Sequence, residues 1–238
     1  MGYRGFPKYE TVGEKRAKTL RAIKALKKKK PDIQPVIIEG NNLVKTWWGK
    51  SWNKNLESYA DYSNRIKRGK SYVKNYAVMD LKINKGKVAA LVHGSSTKPY
   101  DVTIQIETLS EDKWGKVTEL CNHRISSLDQ LLEGKFPKEL EELFTNHKYG
   151  FFPDPSEIHF DCSCPDWAYM CKHVAAVLYG IGSRLDEDPL LFFELRDVDS
   201  KALIKKSMES KLENMLNNAG KKSSREINDA EVFDIFGV

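Results

Sequence analysis

Three cysteines and one histidine crowd into the run Cys162-Ser163-Cys164-Pro165-Asp166-Trp167-Ala168-Tyr169-Met170-Cys171-Lys172-His173. The pattern is C-x-C, six residues, then C-x-H. Thiolate sulfur and imidazole nitrogen both ligate Zn²⁺, and four such donors complete a tetrahedron. Iron–sulfur centres usually take four cysteines, so the histidine points to zinc. A full set of protein ligands leaves no open position for water or substrate. Such a site contributes folding energy rather than Lewis-acid catalysis. The spacing therefore predicts one structural zinc on Cys162, Cys164, Cys171 and His173. The plainer alternative is chance clustering of buried cysteines. His159 lies close by, but the downstream set is complete without it.

Two elements must position these ligands. Glu157–Asp161 alternates like a strand, and residues i and i+2 share a face of extended chain. Cys162 and Cys164 can then reach one ion. Val174, Val177, Leu178 and Ile181 follow helical spacing, with Gly180 and Gly182 read as stop signals. Residues two apart on a helix do not face each other. Cys171 is therefore expected just before the helix, with His173 in its first turn. The local fold predicted is two short strands, then a helix. Trp167 and Tyr169 are expected to wall off the site, and Lys172 to offset the charge of the thiolates.

The rest of the chain reads as α+β. Residues 1–9 look irregular. A helix is expected from Glu10 to Lys30, carrying Ala17, Leu20, Ile23 and Leu26, and Pro31 through Pro35 reads as a linker. Val36–Glu39 and Leu43–Lys45 are expected as short strands. Trp47-Trp48-Gly49-Lys50-Ser51-Trp52 opens a helical stretch to about Ala60. Those tryptophans are either core anchors or a stacking platform for bases, and the core reading is favoured. Arg65–Lys70 reads as a basic loop around Gly69. Tyr72–Ile83, Lys87–His93 and Tyr100–Ile106 form a three-stranded antiparallel meander, with Asn84-Lys85-Gly86 as a turn. Residues 113–132 and 137–147 return to helical spacing, with Cys121 on an apolar face. Leu190–Arg196 and 201–216 read as further helices. Residues 217–229 are polar enough for disorder. The apolar end, 232–238, either packs back or docks in a partner's groove.

The fold class expected is an antiparallel β-meander with packed helices, plus a small zinc-bound ββα module. Four regions follow: a basic N-terminal arm and linker (1–35), an α+β domain (36–150), the zinc finger (151–183), and C-terminal helices with a partly disordered tail (184–238).

Charge is unevenly spread. Residues 1–30 hold eleven Lys/Arg against two Glu, a net of +9, so residues 31–238 carry −3 of the formal total of +6. Such a patch can attract phosphate backbones without reading sequence; it can equally be a solvated tail. The candidate nucleic-acid contacts are Lys27, Lys28, Lys29, Lys30, Arg65, Lys67, Arg68, Lys70 and Lys172. No apolar run approaches a membrane span, and the basic N-terminus lacks the apolar core of a secretory signal. The expectation is a soluble, cytoplasmic protein. The chain has no phosphate loop, nucleophile elbow or paired-carboxylate motif, so neither an enzyme nor a small-molecule substrate is expected.

The C-x-C, gap, C-x-H arrangement resembles the SWIM zinc finger, with 151–183 as that finger. The pieces Trp47-Trp48-Gly49, Arg68-Gly69-Lys70-Ser71-Tyr72-Val73, His93-Gly94-Ser95, and Asp188-Pro189 leading into Phe193-Glu194-Leu195-Arg196 are similar to its prokaryotic branch. The resemblance implies binding to DNA, to protein, or to both, and partnership with a Swi/Snf-type helicase-like ATPase. The alternative it leaves is a pure protein–protein adaptor. The family's basic stretch often reads Arg-Gly-Arg, whereas position 70 is lysine here. Lysine keeps the charge and loses the bidentate fork.

Overall fold

The computed structural model describes residues 10–57, 63–122, 141–146 and 150–199, with scattered helical positions between 201 and 217. In chain order, the helices are α1 (Val12–Lys29), α2 (Trp47–Glu57), α3 (Ser63–Lys74), α4 (Glu111–Asn122), α5 (Glu141–Thr145), α6 (Lys172–Glu187) and α7 (Leu191–Leu195). The strands are β1 (Val78–Asn84), β2 (Lys87–Val92), β3 (Tyr100–Ile106) and β4 (Ile158–Cys162). All four form one antiparallel sheet in the order β1-β2-β3-β4.

Alternation places one face of the sheet in the core. Leu81, Val88, Ala90, Val102, Ile104 and Ile158 are buried, while Lys87, Asp101, Gln105 and Asp161 face outward. The expected meander is present as β1 to β3. β4 adds a fourth strand, with Cys162 opposite Val102. Within 151–183 only one of the two expected short strands forms, β4, and its partner is β3 of the main sheet.

α6 runs through the core of that face. Residues from His173 to Gly182 are buried without a break, the signature of a helix packed on all sides. It does not stop at its glycines. A Cβ on Gly180 would lie 2.9 Å from Leu81 Cδ1, so that position lets the helix approach the sheet. Trp52 of α2 is 1% exposed, and its indole N–H donates to the Leu178 carbonyl at 3.0 Å. Trp48 donates to the Leu185 carbonyl at 2.8 Å. The tryptophan cluster is therefore a core anchor that uses its polar handles on α6.

Residues 65–70 are not a loop. They form the middle of α3, and Tyr72 belongs to that helix rather than to β1. Ile66, Gly69 and Val73 make its buried face at helical spacing. Gly69 is where α3 meets α6: a Cβ there would lie 2.5 Å from Ala175 Cβ. Just past the end of the helix, Tyr76 takes the left-handed cap conformation with φ of 60°. The Ala77 N–H returns to the Tyr72 carbonyl at 3.0 Å.

Val36–Glu39 and Leu43–Lys45 form no ladder. The chain beside β1 makes isolated bonds, Val36 N–H to Val78 O at 3.0 Å and Leu81 N–H to Gln34 O at 2.9 Å. α1 opens on a capping box. Thr11 Oγ1 accepts from the Glu14 N–H, and the Glu14 carboxylate accepts from the Thr11 N–H. The basic helix is seated on the body. Ile23 joins Ile33 and Met79 in a second small cluster. Arg16 donates to the Lys74 carbonyl at 3.0 Å and lies 4.9 Å over the Tyr76 ring. The Cys121 side chain, residues 123–140 and the tail 218–238 lie outside the described residues.

Gly69→Ala tests the α3–α6 contact. Alanine gains about 1 kcal/mol of helix propensity over glycine. Overpacking against a rigid neighbour costs about 1–3 kcal/mol. Because the clash at 2.5 Å falls on another backbone-anchored Cβ, the expected result is net destabilisation, read as a lower urea midpoint.

Candidate metal centre

The four ligands come from two element ends and the turn between them. Cys162 is the last residue of β4, and Cys164 follows it. The Ser163 N–H donates to the Asp101 carbonyl at 3.0 Å, and the Asp101 N–H donates to Ser163 Oγ at 3.0 Å. These bonds lock the C-x-C turn to β3. Cys171 is the N-cap of α6, with extended φ and ψ, and its sulfur accepts from the Val174 N–H at 3.5 Å. His173 sits in the first turn. Both placements agree with the spacing argument.

One donor atom from each of Cys162, Cys164, Cys171 and His173 lies within 4.8 Å of the others. His173 Nδ1 is 3.9 Å from the sulfurs of both Cys162 and Cys171. A tetrahedral zinc with bonds of about 2.3 Å to sulfur and 2.0–2.1 Å to nitrogen sets S···N separations near 3.6 Å. The residues fit the ion, with Nδ1 as the ligating nitrogen. Cys162 and Cys164 are half-buried; Cys171 and His173 are buried.

The electrostatics call for a cation. Cys171 is held down to about 4, chiefly by the hydrogen bond from Cys162; His173, the Val174 N–H and Cys164 add to this against the cost of burial. The same bond, then burial, pushes Cys162 up. Burial raises Cys164. Ionising three adjacent, partly buried sulfurs costs repulsion and desolvation, and a dication would offset both. The helix N-terminus favours negative charge at Cys171 as well.

Spacing does not reveal the shell around His173. Tyr100 lies against its ring with centroids 4.4 Å apart, and Tyr72 meets it edge-on at 5.3 Å. Nε2 is buried without a hydrogen-bond partner. A Cβ on Gly94 would lie 2.4 Å from the Tyr100 ring and 3.1 Å from Nε2, so this glycine lets the three groups close up. A glycine just past a strand end is the only signal of this packing.

Trp167 and Tyr169 do not wall off the site. Trp167 is 79% exposed and Tyr169 54%. The intervening Ala168 and flanking Met170 turn inward instead. The Tyr169 hydroxyl donates to the Ile158 carbonyl at 3.1 Å. Lys172 directs its ammonium to the Tyr72 ring, 6.0 Å from the centroid. His159 points away from the sulfurs and pairs with Glu107 at 3.6 Å.

The nine basic candidates separate into classes. Arg65 is committed to Asp166 at 3.0 Å, with side chains 17% and 13% exposed. Lys70 pairs with Glu57 at 2.7 Å and covers the Tyr179 ring at 5.4 Å. Lys172 is half-buried. Lys67, Arg68 and Lys27 to Lys30 are exposed.

Residues 160–180 match the SWIM zinc finger family model. The cluster is therefore the metal site of a SWIM zinc finger domain. The chain is also homologous to Rv2102, an uncharacterized protein of Mycobacterium tuberculosis. The two are 33% identical over 163 residues, which is 68% of this chain and 58% of the relative. This chain thus spans less than two thirds of that relative's length. No solved structure matches it. Among the described residues, no helix is long and apolar enough to cross a membrane.

Elemental analysis should find about one zinc per chain, as a single closed four-ligand site requires. Cys164→Ser should lose most of that zinc and unfold at a lower temperature. Gly94→Ala should weaken zinc retention against a chelator while leaving all four ligands in place.

Proposed function

We propose that this chain is a zinc-stabilised accessory protein that binds DNA and works beside a helicase-like ATPase of the Swi/Snf type. One observation carries the DNA reading: two helices of one body expose basic residues. α1 exposes Lys27, Lys28 and Lys29, with Lys30 at its C-cap, and α3 exposes Lys67 and Arg68. Arg16 joins the helices at the Lys74 carbonyl, 3.0 Å away. Arg68 lies about 9 Å of helix rise before Lys74, and Lys27 about 16 Å beyond Arg16, so each basic run is set back from that contact.

The lysine run has a structural use as well. Positive charge at a helix C-terminus is worth about 0.3–1 kcal/mol, and the effect fades within one turn. Four consecutive lysines exceed that need, which favours an anionic partner. Phosphate contacts of this kind bind without reading sequence.

The ATPase partner is supported by the resemblance of the finger and its flanking motifs. A catalytic role is not part of this reading, because four protein ligands close the zinc. The second reading is a protein adaptor, favoured by the net −3 of residues 31–238.

Duplex DNA binding should fall steeply with salt. Because α1 is packed through Ile23, neutralising its charge is a cleaner test than deleting it. Replacing Lys27 to Lys30 with glutamine should weaken binding and flatten the log–log salt slope by about 0.9 for each phosphate that is no longer neutralised. An unchanged affinity and slope would remove α1 from the interface. If the unmodified chain does not bind DNA at moderate salt, the adaptor reading stands alone.

A further inference from the structure

The finger's own loop carries an unexplained feature. Trp52 and the phenylalanines at 151, 152, 192 and 193 are buried, yet Trp167 is 79% exposed. Burying an indole is among the largest gains available to a fold. An indole left 79% exposed forgoes most of that gain.

The loop that holds it is tightly tied. Cys164 and Cys171 bracket it as metal ligands. Arg65 grips Asp166, the residue before Trp167. Asp166 also accepts from the Ala168 N–H at 3.3 Å. Ala168 and Met170 are buried on the far side. The indole is thus presented on a rigid backbone, which lowers the entropy cost of using it for binding.

The loop is tied to the basic helix α3. Arg65 fixes the loop against α3, and Arg68 follows one turn later on the same side of that helix. Arg68 is exposed four residues before Tyr72 on α3, which places the two on one side of the helix, and the Lys172 ammonium lies over the Tyr72 ring at 6.0 Å. The one acid in the turn, Asp166, is neutralised by Arg65.

We propose that the zinc loop is a stacking platform for single-stranded nucleic acid, with Trp167 taking a base and Arg68 and Lys172 taking the flanking phosphates. The proposal rests on the nucleic-acid reading above and adds the form of the ligand. A projecting indole can stack only on a base whose face is open, and a duplex hides those faces. Stacking of this kind is worth about 5- to 150-fold per base and tolerates any sequence.

The test is fluorescence anisotropy on the full zinc-loaded chain, with a labelled oligothymidine of about 20 nucleotides and a duplex of equal length, a span chosen to exceed typical single-strand sites. Trp167→Ala should weaken single-strand binding about tenfold and change duplex binding less than about twofold, with Trp167→Phe retaining most of the affinity. Single-strand binding should also quench tryptophan emission, and that quenching should shrink in Trp167→Phe. Zinc content equal to the parent chain shows that each variant is folded. If the chain binds single strands and Trp167→Ala binds them equally well, the platform is wrong and the nucleic-acid reading survives. Binding to duplex alone has the same consequence. If the chain binds neither, both readings fall, and Trp167 is left as an anchor for a protein partner.

Discussion

Four ligand atoms at the junction of β4 and α6 are the constraint on which the rest depends. β4 is the edge of the sheet, and α6 is the buried centre of the core. Cys162 belongs to one and Cys171 caps the other, so a single ion sets where the helix leaves the sheet. Other contacts inherit that position. Trp48 and Trp52 hang on α6 carbonyls, and Gly69 of α3 sits against Ala175. Structural zinc in finger peptides contributes about 10–16 kcal/mol, and whole domains are stable by about 5–15. On that scale the ion is comparable to a domain's whole net stability. The finger is accordingly not a bead on a string, because its strand and its helix are also the edge and the axis of the larger body.

Some of this is legible in the residues. Zinc ligation is local chemistry, so C-x-C and C-x-H announce themselves. The meander is legible because Val102, Ile104 and Ile106 alternate, and the start of α6 because Val174, Val177, Leu178 and Ile181 recur at helical spacing. The α3 segment misleads for an identifiable reason. Gly69 among basic residues signals a turn, and Tyr72-Val73 favours a strand. Neither signal knows that a second helix needs a glycine there to come close. Gly180 and Gly182 mislead in the same way. Where glycine marks close approach, its meaning lies in a partner far along the chain.

The direction of side chains is the other illegible part. Trp167 and Tyr169 lie between ligands, and proximity in sequence suggests shielding. The shielding comes from Tyr72 and Tyr100, on α3 and β3, which reach His173 only after the chain has folded. Arg65 and Arg68 look alike in sequence, yet one is paired at 3.0 Å with Asp166 and the other is exposed. Lys67 and Lys70 divide in the same way, with Lys70 held by Glu57.

That division shapes how the surface can work. A closed metal site offers a ligand nothing directly; it can act only by fixing what surrounds it. Arg65 and Lys70 carry this fixing outward, because each gives up its charge to anchor a neighbour. Arg65 holds the zinc loop to α3, and Lys70 holds α3 to the end of α2. Arg68 and Lys67 stay exposed on a frame made rigid by the residues that flank them in sequence. Lys70 is matched by a glutamate and a tyrosine ring, and a single ammonium suffices for that contact. The basic stretch therefore interleaves two functions on one helix, and the loop bearing Trp167 is positioned by the half that never meets a ligand.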